Sequence, residues 1–127
     1  MKIILKLISA FALVGMLAQP ALAQDVNAAL NQIADIVASL NHFPSDEDKA
    51  VLAEIAANVN YPEGLRNMAT AVSNISHSAT AEGKEMMAAV QANMQAPESA
   101  RALAGVIANV NHMASEEAKA TLAQHFP

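Results

Sequence analysis

The chain has no cysteine and no tryptophan, and only one tyrosine, three phenylalanines and four glycines. The absence of cysteine excludes a disulfide framework, a thiol nucleophile, a CxxC redox pair and thiolate-held zinc or iron–sulfur centres. Bases are scarce as well: 7 Lys and Arg stand against 12 Asp and Glu in 127 residues, a net charge of −5. Nucleic acid needs a basic surface, so that balance argues against it as a partner. The length suits one domain rather than two. There is no GxSxG, no P-loop, no GxGxxG and no Ser–His–Asp pattern, so the chain is read as no enzyme and no cofactor is expected. No segment alternates with period two beyond a few residues, so no strand is predicted.

What is present begins with an address. Lys2 and Lys6 form a positive start, Leu7 to Ala18 is uncharged, Gln19-Pro20 breaks the run, and Ala21-Leu22-Ala23 supplies small residues at −3 and −1. This is the pattern of a secretory signal peptide over 1–23, cleaved after Ala23. The apolar run is shorter than the roughly 20 residues that span a bilayer. Removal of Lys2 and Lys6 leaves five bases against twelve acids, a net −7, in an Ala-rich domain over 24–127. The expected location is the bacterial periplasm or the exterior, with no transmembrane segment in the mature chain.

The mature chain carries a period of 35: His42, His77 and His112; Lys49, Lys84 and Lys119; Glu47, Glu82 and Glu117 all keep that step. Arg66 and Arg101 repeat with it, as do Pro62 and Pro97. Segments 33–57 and 103–127 share 10 identities in 25 positions. The chain therefore divides into three units, approximately 24–57, 58–92 and 93–127.

Each unit reads as a pair of helices. The first carries the stripe Leu30, Ile33, Ala34, Val37 and Leu40, matched by Leu65, Met68, Ala69, Val72 and Ile75, and by Ala100, Leu103, Ala104, Ile107 and Val110. That spacing is one face of a 3.6-residue helix. Ser45, Thr80 and Ser115 are placed to cap the second helix, with acids following in its first turn. The second helices are expected to bury Leu52, Ile55, Ala56 and Val59, and in unit two the stripe is Met87, Val90, Gln91 and Met94, with Gln91 an imperfection. Pro62 and Pro97 fall at the first position of the next helix. The fold class is thus all-α: three tandem αα-hairpins, six helices of roughly 12–16 residues, as a short α-solenoid or a compact bundle. In outline this resembles the αα-hairpin repeats of tetratricopeptide and HEAT type. The Trp, Leu-Gly and Tyr positions of the tetratricopeptide motif have no match here, so no family is assigned.

The repeated histidines are the most visible polar feature. His42, His77 and His112 each follow a first helix, where an imidazole can serve free carbonyls and the negative end of the dipole. In a stack of hairpins they would stand about 8–10 Å apart, too far to share one ion. They are therefore expected as cap or surface positions, together with Lys49, Lys84, Lys119, Arg66 and Arg101. A metal reading of copper type would draw on His77, His112, Met113 and His125, since imidazole and thioether suit that ion. The acid–base pairs Asp46/Lys49, Glu63/Arg66, Glu98/Arg101 and Glu116/Lys119 are spaced to meet on helix surfaces. The leading expectation is a non-enzymatic module that binds a protein or peptide partner in the cell envelope. The alternatives are a metal-binding accessory protein and a self-associating homo-oligomer.

Overall fold

The computed structural model describes the backbone of residues 11–127 and side-chain packing from Asp25 onward. The expected signal peptide over 1–23 lies outside the residues whose packing is described. Among the described residues the protein is all-helical. Its helices are α1 (Phe11–Ala38), α2 (Asp46–Ala57), α3 (Glu63–Ser73), α4 (Ala81–Ala92), α5 (Glu98–Ala108) and α6 (Glu116–His125). No strand forms among these residues, and isolated β-bridges occur only in the turns around Asn41, Ser78 and Asn111. No described helix is long and apolar enough to cross a membrane.

The periodic stripe places α1, α3 and α5 at the centre. All fifteen stripe residues are buried, from Leu30 to Val110. These three helices touch one another, while α2, α4 and α6 lie outside them and do not meet. The last helix, α6, packs on α1, so the arrangement brings the first and last helices together as a bundle does. Leu52 of α2, Met87 of α4 and Leu122 of α6 fill the space between the outer and inner helices. At ~25 cal/mol per Å2 of apolar surface, these long aliphatic side chains provide most of the burial, while the alanines let the inner helices approach.

Helix ends follow the side chains placed there. Ser45, Thr80 and Ser115 accept from the backbone N–H groups of Asp48, Gly83 and Ala118 at 3.1, 2.9 and 3.0 Å. Each satisfies a donor that has no partner within the helix. Asn58 and Asn93 are the C-caps of α2 and α4. Their Oδ1 atoms accept from Asn60 N–H and Gln95 N–H, both at 3.0 Å.

Several expectations are corrected. Helices α2 to α6 run 10–12 residues, at the short end of or below the expected length. The asparagine caps stop α2 and α4 two residues short of Val59 and Met94, which stand 79% and 75% exposed instead of in the core. Pro62 and Pro97 are the N-caps of α3 and α5 rather than their first helical residues. Among the described residues only one expected ion pair forms, Lys119 to Glu116 at 3.9 Å. Arg66 Nε instead donates to the Tyr61 carbonyl at 3.2 Å. Arg101 turns its Nη1 toward Met94 Sδ at 3.6 Å. Lys49 and Lys84 are exposed.

Candidate metal centre

The three histidines meet. After α1, α3 and α5 the chain makes one further turn, with the N–H groups of Leu40, Ile75 and Val110 bonded back to Val37, Val72 and Ile107. That turn drives Leu40, Ile75 and Val110 into the core. Two residues later comes the histidine, and two further on Pro44, Ala79 and Ala114, all buried. Each histidine is thus held between two buried anchors at one end of the inner helices.

Their backbones are in the left-handed region, with φ of 74° at His42, 72° at His77 and 72° at His112. They are the only non-glycine residues with positive φ among those described. That conformation costs a residue with a Cβ on the order of 1–3 kcal/mol. It is compensated by a closed cycle of main-chain hydrogen bonds. His42 N–H donates to His112 O at 2.5 Å, His77 N–H to His42 O at 2.6 Å, and His112 N–H to His77 O at 2.5 Å.

The cycle brings the imidazoles together. Ring centroids are 5.0–5.1 Å apart, with interplanar angles of 64–89°. This overturns the expected 8–10 Å separation. One ring nitrogen from each histidine lies within 4.8 Å of the other two. Tetrahedral coordination at 2.0–2.1 Å needs nitrogens roughly 3.3 Å apart, an inward movement of at most about 0.8 Å each. Side-chain rotation provides that, since His77 and His112 are exposed and His42 is half-buried.

Two of the three rings are held by a neighbouring asparagine. Asn41 Oδ1 accepts from His42 Nδ1 at 2.6 Å, and Asn111 Oδ1 from His112 Nδ1 at 2.7 Å. A side-chain carbonyl can only accept, so the bond holds the ring by Nδ1–H and leaves Nε2 as the nitrogen that would face a metal. Ligating histidines are commonly oriented this way by a bond to the other ring nitrogen. Ser76 stands where the other turns have asparagine, and no such bond orients His77 among the described residues.

The set offers three imidazole nitrogens, without carboxylate or thiolate. Such a set suits zinc, copper or nickel and leaves at least one position open. Of the earlier metal candidates, His77 and His112 belong to the group. His125 ends α6 away from it. Met113 follows His112 in the same turn and is 48% exposed, while Met68 and Met87 are core residues. His42 completes the trio; from sequence it is expected as a cap or surface position, because the spacing of stacked hairpins sets the column apart. Its membership was visible in the 35-residue column, but the closure that makes the column converge was not. No protein-family model, curated protein or solved structure matches this chain.

Proposed function

We propose that the protein is an extracytoplasmic metal-binding protein. Three αα units, 24–57, 58–92 and 93–127, close on one another and hold a divalent ion of imidazole preference with His42, His77 and His112. The secretory pattern of residues 1–23 supports the compartment. One observation carries the site: three histidines occupy left-handed positions that glycine or asparagine would fill at lower cost, and their rings converge. Backbone strain kept at matched positions is accounted for by what the side chains do together.

The test is calorimetric titration of tag-free, chelator-stripped protein with Zn2+ and Cu2+. Saturable binding is expected, weakened at least a hundredfold in the His42→Ala/His77→Ala/His112→Ala variant. Equal binding by a folded triple variant overturns the reading.

A second reading, the protein- or peptide-binding module, has one observation in its favour. A groove of about 550 Å3 runs between α5 and α6, walled by Val106, Val110, Ala114 and Ala118, with Glu117 at its edge. Crosslinking in the intact envelope, followed by mass spectrometry, tests it. A recurrent partner lost on substituting the partly buried Ala102 or Ala118 by Glu, in variants that keep the parent's helical content, supports this reading, and its absence removes it.

A further inference from the structure

We propose that the ion is shared between two copies of this chain, each presenting His42, His77 and His112 to it from opposite sides. The proposal rests on the metal reading above and adds what fills the remaining coordination positions.

Three imidazoles from one chain leave a metal ion open on the side away from the bundle. Pro44, Ala79 and Ala114, two positions after each histidine, are buried and anchor the turns to the bundle. The surface around the opening has an unusual composition for an acidic protein. Residues 40–45, 75–80 and 110–115 include no charged side chain, in a chain of net charge −5. Two large apolar side chains stand on that surface next to the histidines, Phe43 at 58% and Met113 at 48% exposure. Ser78 holds the third equivalent position. Charges resume only with Asp46, Glu82 and Glu116, at the starts of α2, α4 and α6.

These features suit a second copy better than solvent. Like-charged surfaces repel, and the uncharged face is where two acidic molecules can meet with least repulsion. A twofold dimer uses the same patch on both subunits, so the patch must complement itself. Six nitrogens around one ion require the two sets of ligating nitrogens to lie roughly 2.4 Å apart along the common axis, given bonds of about 2.1 Å. The flanking side chains must then interleave. A staggered approach seats the large Phe43 and Met113 of one copy beside the gap that Ser78 leaves on the other. The shared ion joins two apolar rims that are separately too small to hold a dimer.

The probe is Ni2+, which accepts six ligands, added to chelator-stripped, tag-free protein at 0.15 M salt, where the Debye length is about 8 Å and the acidic rims are screened. Light scattering should report a doubling of mass, complete at one Ni2+ per two chains. X-ray absorption should count six imidazole nitrogens. The variant Phe43→Glu/Met113→Glu leaves every ligand in place, and is expected to bind Ni2+ yet keep the mass of a single chain. Binding of one Ni2+ per chain with no change of mass overturns the shared ion and leaves the metal reading standing. Failure to bind Ni2+, Zn2+ or Cu2+ overturns both. A dimer that persists without metal, or in the glutamate variant, overturns the sharing and assigns association to another surface.

Discussion

Glycine and alanine at position 77 should behave differently, and in a direction that ordinary helix-rich surfaces do not show. His77 has φ 72°. Substitution by Ala keeps a Cβ in the left-handed region and so keeps a strain of about 1–3 kcal/mol. Substitution by Gly removes that strain and loses about 0.5–1 kcal/mol to the greater freedom of the unfolded chain. Both variants give up the edge-on contacts with His42 and His112, worth at most about 0.5–1.5 kcal/mol each and less at an exposed site. Both retain the main-chain bonds from His77 N–H to His42 O and from His112 N–H to His77 O. The contact losses cancel in the comparison, leaving His77→Gly more stable than His77→Ala by about 1 kcal/mol. Urea unfolding of chelator-treated protein, followed by far-UV circular dichroism, measures it. With m of about 1–3 kcal/mol/M, the glycine midpoint should lie roughly 0.3–1 M above the alanine midpoint at unchanged m. With metal at a hundred times its Kd, the parent protein should gain about 2.7 kcal/mol, and both variants much less. If alanine proves as stable as glycine, the left-handed turn is not a cost the histidine bears, and the argument from strain to function fails.

Three further outcomes are expected. Asn111→Ala removes the acceptor for His112 Nδ1 and should weaken metal binding about 10–100-fold with little change in metal-free stability, as read by titration and melting. Gly64→Ala should raise stability by up to about 1 kcal/mol, because a Cβ there meets only Val90 Cγ2 at 3.6 Å. Gly83→Ala should gain less or lose, because its Cβ would lie 3.2 Å from Thr80 Oγ1 and 3.4 Å from Ala71 Cβ, and the two melting curves decide. Leu103→Ala, at a fully buried site of the inner trio, should cost about 2–5 kcal/mol in denaturant unfolding.

Local features were legible in the sequence to the extent that local physics determines them. The stripe on each inner helix needs only the 3.6-residue period, and every one of its fifteen positions is buried. Ser45, Thr80 and Ser115 cap as their hydroxyls suggest, because the bond spans three residues. The misplacement of Val59 and Met94 came from extending the period past Asn58 and Asn93, whose side chains close α2 and α4 against their own backbone. The site was less legible. A repeat of 35 says that His42, His77 and His112 are equivalent, but not whether equivalent points converge or line up. That depends on the rotation from one unit to the next, which is set by side-chain packing between α1, α3 and α5 and by no single motif. The left-handed φ of the histidines is equally silent, since the turn that imposes it is defined by residues buried on either side.

The cycle joining the three histidine backbones also bears on how the protein comes apart. Each turn both donates to one neighbour and accepts from the other, so freeing any one of them breaks two of the three bonds at once. A row of repeats can fray from its end, losing one interface at a time. Here His42 is tied to His112 across 70 positions of chain, and α1 is packed on α6. The amides of His42, His77 and His112 should therefore exchange with deuterium together, at a rate set by global opening rather than by their nearness to the surface.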